Sequence, residues 1–170
     1  SHVIYAMKHL QWPVLAVAKD AGFVGIHKIG LACDLHDVDA IIPAEKLNKL
    51  VSDLKAELHV LNTGKAGVYD PELFIGSQQL IRLSHVKPEF HFLTNDDTDE
   101  GIVDFANKIK IDLLLVLPRK HGFIYKLLHR SHTKYMTMHS NVPVLALHQI
   151  QPTNKERIME ESRVDINDIM

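Results

Sequence analysis

The side chains best suited to chemistry in this sequence are basic and follow an apolar strand. The strand is Leu113–Leu117, and the polar groups behind it are Arg119, Lys120, His121, Arg130 and Ser131. Guanidinium and ammonium groups bind phosphates and carboxylates through charge-assisted hydrogen bonds. The spacing therefore predicts a site for an anion or a phosphorylated ligand. The alternative is a solvated basic rim without a ligand, because exposed charge pairs contribute little.

The elements around these residues place them at the ligand-binding edge of a sheet. Residues 112–148 read as a strand, a loop, a helical pattern over 124–128 and a second strand, Val144–Leu147. The two strands are expected to be parallel and joined by a right-handed crossover. Open parallel sheets bind ligands at the carboxyl ends of their strands. Asp34, which closes the strand Ile29–Cys33, is expected at the same edge.

Strands and helices alternate along the rest of the chain. Two helical patterns begin at prolines, Pro43 and Pro71, where proline is tolerated. This alternation predicts an α/β fold with a doubly wound parallel sheet. In chain order, the elements are the strand Ile29–Cys33, a helix from Pro43 with Leu47, Leu50, Val51 and Leu54 inward, the strand Leu58–Leu61, a helix from Pro71, the strand Phe90–Leu93, and a helix with Ile102, Phe105, Ala106 and Ile109 inward.

The two ends of the folded region repeat each other. Residues 1–19 align with residues 131–149 without a gap, and eight of the nineteen positions are identical. A repeat of this kind indicates copies of one structural unit, so it determines where the domain boundaries are placed. The identical pairs are Ser1 and Ser131, His2 and His132, Tyr5 and Tyr135, His9 and His139, Pro13 and Pro143, Val14 and Val144, Leu15 and Leu145, and Ala16 and Ala146.

The repeat divides the chain into unequal parts. Residues 1–19 are predicted to be the last helix and strand of a preceding copy, 20–25 a linker, 26–149 one complete domain, and 150–170 a polar tail. An exposed strand edge recruits a partner. We therefore expect Val14–Val17 to pair with the edge of the complete sheet, at its own counterpart.

Several of these motifs together resemble the universal stress protein family. They are Asp34 at the end of the first strand, the Asp-Leu-Leu-Leu-Val strand from Asp112, the Leu-Leu-x-x-Ser helix entry ending at Ser131, and the Pro-Val-Leu-Ala strand from Pro143. The resemblance covers residues 26–149. It implies an adenine nucleotide alpha hydrolase-like sheet of five strands in the order 3-2-1-4-5, here with one extra edge strand. It also implies tandem copies, pairing through the last strand, and a branch that binds ATP.

The chain departs from the ATP-binding branch at its glycines. That branch carries three glycines before a serine or threonine, and the matching positions here are Leu117, Lys120 and Arg130, with Ser131 and Asp34 retained. Glycine lets backbone amides approach phosphate oxygens closely. Pro118 also removes an amide donor. We therefore expect the usual ATP cradle to be lost, with a ligand role or a loop-capping role left open for Asp34.

Other polar clusters are interpreted structurally. His121, His129 and His132 could suggest zinc, but His132 recurs at His2, which favours a role in the fold. His59 and His91 lie in strands and are expected to be structural histidines. The acidic run over 96–100 suits a helix N-terminus, with Asp97 and Glu100 as a capping box. No metal site and no catalytic motif are predicted.

Composition restricts the partners. The 170 residues carry a net charge of -2 and contain one cysteine, Cys33. We expect no nucleic-acid partner, no membrane span, no disulfide within the chain and a cytoplasmic location. The predicted function is a non-enzymatic scaffold module of a bacterial stress response, without a required cofactor. Its expected partners are the preceding domain of the same chain or a second copy. The alternative is a switch that binds ATP, AMP or another phosphorylated metabolite.

Overall fold

The computed structural model describes residues 2–10, 12–17, 22, 24–33, 35–36, 38–63, 71–93, 98–117 and 142–148. Strands and helices alternate through these ranges, as the sequence predicts. The elements are α1 (His2–His9), β1 (Val14–Ala16), β2 (Lys28–Ala32), α2 (Val38–Ile41), α3 (Ala44–Leu54), β3 (Glu57–Thr63), α4 (Pro71–Leu83), β4 (Glu89–Leu93), α5 (Thr98–Lys108), β5 (Leu113–Val116) and β6 (Val144–Ala146).

Within the described ranges, the sheet has six strands in the order β1-β6-β5-β2-β3-β4. The five strands from β2 onward are parallel to one another. Numbered within the predicted domain, their order is 3-2-1-4-5, so the fold class and strand order are confirmed. Strands β3 and β4 lie on one side of β2, and the later strands β5 and β6 lie on the other. The carboxyl ends of β2 and β5 therefore form the switch point of the sheet.

The core consists of the central strands and one face of each covering helix. All four residues of β5 are buried, as an apolar run without alternation predicts. Leu47 and Val51 of α3 and Ile102 and Ala106 of α5 are buried at helical spacing. Burial of one such aliphatic side chain contributes about 1.5–3 kcal/mol. Leu80 of α4 is also buried.

Some boundaries differ from the sequence expectation. Pro43 precedes α3 as its N-cap instead of opening its first turn, and its carbonyl accepts the Leu47 N–H at 2.9 Å. Strand β3 is longer than the predicted Leu58–Leu61, because parallel pairing with β2 and β4 continues on both sides. The short helix α2 was not expected. The predicted helix over 124–128, the Ser131 cap, Asp97 of the capping box and the tail 150–170 lie outside the described residues.

The N-terminal segment is a helix and a strand that join the edge of the sheet. Strand β1 pairs antiparallel with β6, with Val14 opposite Ala146, Leu15 opposite Leu145 and Ala16 opposite Val144. The expected pairing of the segment with its repeat counterpart is therefore confirmed. Because identical tripeptides run in opposite directions, the ladder has a local two-fold axis at the Leu15–Leu145 pair.

Two further contacts fix the N-terminal segment. The side chain of Met7 in α1 is buried in the core. His148, just past β6, lies with its Nε2 atom 2.7 Å from the Met7 carbonyl oxygen. Since a carbonyl only accepts, Nε2 is the protonated nitrogen of this ring. Helix α1 is thus held both by apolar packing and by a hydrogen bond from His148, which is distant in sequence.

Candidate functional site

The predicted anion site falls largely outside the described residues. Asp34, Arg119, Lys120, His121, Arg130 and Ser131 all lie there, as do His129 and His132. Leu117 is described, directly after β5, and its side chain is buried in the core. A leucine at this position is thus accommodated by packing against the sheet, where the resemblance expects glycine. The grouping of the basic side chains stays a prediction.

A buried amide marks the carboxyl end of the neighbouring strands. Asn62, near the end of β3, has 2% of its surface exposed. Its Nδ2 atom donates to the Cys33 carbonyl oxygen at 3.0 Å, and its Oδ1 atom receives no hydrogen bond from the part of the chain that the structure describes. Reversing the amide would place two acceptors together, so this orientation is chemically fixed. A buried acceptor without a donor is unfavourable by about 1–3 kcal/mol.

The backbone after β2 turns sharply beside this amide. The Leu35 N–H donates to the Cys33 Sγ atom at 3.3 Å, and Leu35 has a φ of 61°. This left-handed conformation is uncommon for a residue with a branched side chain. The carbonyl oxygen of Leu35 also occupies the space that a Cβ at Gly76 would need. Helix α4 therefore approaches the turn closely through a glycine.

Sequence reasoning missed two features. Asn62 lies just outside the predicted strand Leu58–Leu61, whereas in the structure it is a buried residue within β3. His59 and His91 were considered separately, yet a ring nitrogen of one lies 3.0 Å from a ring nitrogen of the other. The available signal was a repeated Glu-x-His pattern in two successive strands, Glu57 to His59 and Glu89 to His91.

The outer surface of the N-terminal segment is apolar. The exposed side chains are those of Trp12 at 76%, Tyr5 at 66%, Val17 at 57%, Leu15 at 55%, Leu10 at 47% and Val3 at 42%. Single exposed apolar residues are ordinary, whereas several in one short segment mark a contact surface. The segment therefore contacts the sheet through Met7 and β1 and leaves a second apolar surface uncovered.

Comparison with known proteins agrees with this architecture. Residues 78–148 match the sequence model of the universal stress protein family. No match is found among curated protein sequences. A universal stress protein from Archaeoglobus fulgidus DSM 4304 has a similar structure, with a TM-score of 0.62 and 15% identity over 86% of this chain. This chain spans 53% of that protein's length.

Two nucleotide complexes are among the similar structures. A universal stress protein in complex with cAMP is similar, with a TM-score of 0.52 and 15% identity, over 73% of this chain and 98% of that one. The universal stress protein from Archaeoglobus fulgidus in complex with dAMP has a TM-score of 0.45 and 16% identity, over 72% of this chain and 96% of that one. The structures with TM-scores of 0.62 and 0.52 share their α/β fold with this chain. No described helix is long and apolar enough to cross a membrane.

Proposed function

We propose that this chain is a non-enzymatic universal stress protein-like module, which works as a scaffold in a cytoplasmic stress response by pairing two domain copies edge to edge. The observation that supports it is the symmetric ladder between β1 and β6. Strand β1 and helix α1 are then the end of one copy, and residues 26–149 are the next copy. Two identical strand sequences in antiparallel register are what a two-fold pairing of copies produces.

The exposed surface of the N-terminal segment supports the same arrangement. Leu15, Val17 and Trp12 are largely exposed, although the opposite side of the segment packs on the sheet. In a tandem of two copies, the remainder of the preceding domain would cover these side chains. The partner is therefore the preceding domain of the same protein. A second copy of the chain could replace it when the edge of β6 is free.

The proposal is tested by measuring the molecular mass in solution with and without the contact between β1 and β6. The double variant Val14→Asp/Ala16→Asp places carboxylates where the two side chains pack against the core, so β1 should leave the edge of β6. The matched control is Val24→Asp, because Val24 is 98% exposed. Light scattering should show monomers for wild type and for the control, and dimers for the double variant. A folded double variant that stays monomeric would contradict an assembly role for β6.

We further propose that the module lacks the usual ATP cradle, because leucine, lysine and arginine stand where the ATP-binding branch has glycines. Calorimetric titration of the wild-type chain with ATP should give no saturable heat. Phosphate release in long incubations should equal that of buffer. Tight ATP binding, or release above buffer, would contradict this part of the proposal.

A second candidate function is a switch that binds AMP or another phosphorylated metabolite at the carboxyl ends of the strands. The Asn62 Oδ1 atom favours it, because this buried acceptor lacks a donor among the described residues and an exocyclic amine could supply one. The cAMP-bound protein of similar fold makes nucleotides the natural first probes. In this alternative, Arg119 and Arg130 would hold the phosphate.

Titration with AMP and cAMP tests the switch. Wild type should bind, and Arg119→Ala, Arg130→Ala and Asn62→Leu should each bind at least about tenfold more weakly, the effect of one good hydrogen bond. Circular dichroism would establish that Asn62→Leu is folded. No heat with wild type, or equal affinity in all variants, rejects the switch.

A further inference from the structure

Two Glu-x-His segments lie side by side on neighbouring parallel strands. Glu57 and His59 belong to β3, and Glu89 and His91 belong to β4. Alternate residues of a strand share one face of the sheet. The register sets His59 opposite Glu89, and Leu61 opposite His91. The four polar side chains therefore form one diagonal group on a single face.

Three of these side chains direct ligand atoms at one point. His59 Nδ1 lies 3.0 Å from His91 Nε2, 3.7 Å separates His59 Nδ1 from Glu89 Oε2, and 3.6 Å separates His91 Nε2 from Glu89 Oε1. In a tetrahedral zinc site with bonds of about 2.0–2.1 Å, ligand atoms are roughly 3.3–3.4 Å apart. The separation between the histidines is shorter than that value, and the two separations to Glu89 are longer and involve its two different oxygens. Side-chain rotations that part the rings and bring one Glu89 oxygen towards both would complete the geometry.

Glu57 has a different position in the group. Its Oε2 atom lies 3.3 Å from His59 Nε2, the ring nitrogen that faces away from His91. A carboxylate that accepts the Nε2–H of His59 leaves Nδ1 with a lone pair. Histidines that bind metals usually donate their second ring N–H to such a partner, which fixes the tautomer. Glu57 thus prepares Nδ1 to act as a ligand.

The two ring nitrogens between the histidines need a shared electrophile. If both present lone pairs, they repel each other at 3.0 Å. A single proton relieves that repulsion but leaves the carboxylate of Glu89 with contacts longer than 3.5 Å to both rings. A divalent cation would accept both lone pairs and one oxygen of Glu89 at the same time. A hydrogen bond accounts for the 3.0 Å between the two nitrogens, whereas a cation, after the rings separate slightly, would also bind the carboxylate of Glu89.

Burial and charge agree with this interpretation. The side chains of His59 and His91 are 5% and 16% exposed, whereas that of Glu89 is 67% exposed. The carboxylates of Glu57 and Glu89 place negative charge beside the two rings. Phe105 of α5 packs against the His91 ring with 4.9 Å between centroids. Two fixed imidazoles and one exposed carboxylate leave room for ion entry and for a water ligand.

We propose that His59, His91 and Glu89 bind a zinc ion, with Glu57 orienting His59 and water as the fourth ligand. Two histidines and one glutamate are a ligand set found in zinc sites with an open position. The ion would join β4, the edge strand of the sheet, to β3. His59 precedes Asn62 by three residues of β3, so the ion and the buried amide would lie on opposite faces of the sheet.

Titration with zinc and with cobalt tests the proposal on the full chain. Wild type should bind one zinc ion with a saturable heat, and cobalt should give the visible absorption of a tetrahedral complex. Glu89→Gln should lower the zinc affinity at least about tenfold, and so should His91→Ala. Glu57→Gln should lower it about tenfold, the lower end for an outer partner of a ligand histidine. Glu89 is mostly exposed, so its variant should fold normally.

His85→Ala is the matched control, because its side chain is exposed and lies outside the group. Its zinc affinity should equal that of wild type. Zinc should also raise the melting temperature of wild type and of this control, with a smaller rise for Glu89→Gln. Absence of binding to wild type would overturn the proposal. Equal affinities for Glu89→Gln, His91→Ala and His85→Ala would also overturn it, since they would assign the binding to scattered surface histidines.

Discussion

Asn48 holds two helices together through its side-chain amide. Its Nδ2 atom donates to the Leu83 carbonyl oxygen at 2.7 Å, at the end of α4. Its Oδ1 atom accepts the His85 N–H at 2.9 Å. The side chain is buried on the inner face of α3. One residue therefore satisfies both a terminal helix carbonyl and the backbone N–H that follows it.

The change Asn48→Ala removes both hydrogen bonds. Each contributes about 1 kcal/mol net, and the partly buried backbone groups that lose their partners add to the loss. Alanine offsets up to about 0.7 kcal/mol of this loss, because its helix propensity is higher than that of asparagine. We therefore expect the free energy of unfolding to fall by about 2 kcal/mol. With a urea slope of about 2 kcal/mol per molar, the midpoint should move down by roughly 1 M.

Urea unfolding followed by circular dichroism measures this change. Lys49→Ala is the matched control: it is the next residue of α3, its ion pair with Asp53 is exposed, and its midpoint should stay at the wild-type value. Asn48→Asp keeps an acceptor for the His85 N–H but sets a carboxylate against the Leu83 carbonyl, so it should destabilise at least as much as alanine. A midpoint for Asn48→Ala equal to that of Lys49→Ala would refute this account of α4.

Two further substitutions test close contacts in the fold by thermal unfolding. Gly76→Ala should destabilise by about 1–3 kcal/mol, because the Leu35 carbonyl fills the space for a Cβ and outweighs the gain of about 1 kcal/mol in helix propensity. Gly22→Ala, which meets open space, is its control, and equal stability of the two would contradict the contact. Asp112→Ala should cost about 2 kcal/mol, since one carboxylate oxygen accepts two backbone N–H groups at 2.8 Å at the start of β2. An unchanged melting temperature would show that these bonds contribute nothing.

Local patterns in the sequence determined much of the fold. The apolar run over 113–117 and the helical spacing of Leu47 and Val51 depend on neighbours along the chain, and both were predicted correctly. The β1–β6 pairing was also predictable, because a repeat links the two strands directly. The strand order came from the resemblance to a family, since periodicity alone does not determine which strands are adjacent.

The contacts that were missed depend on the register between strands. His59 and His91 meet because β3 and β4 pair with His59 opposite Glu89. A shift by one residue would move one histidine to the other face of the sheet. Likewise, the unpaired oxygen of Asn62 depends on where the Cys33 carbonyl lies across the sheet. Neither relation is encoded in a window of neighbouring residues.

The identity of the three paired positions in β1 and β6 bears on molecular recognition between chains. Val-Leu-Ala opposite Val-Leu-Ala gives β6 no means to distinguish its own β1 from the β6 of another molecule. Whether β6 pairs within its own molecule or with another one then depends on the local concentration of each partner. Residues 17–27 separate β1 from β2 in sequence, and short connections give effective concentrations on the order of millimolar. Below that concentration each molecule should close on itself, and above it strands should begin to exchange between molecules.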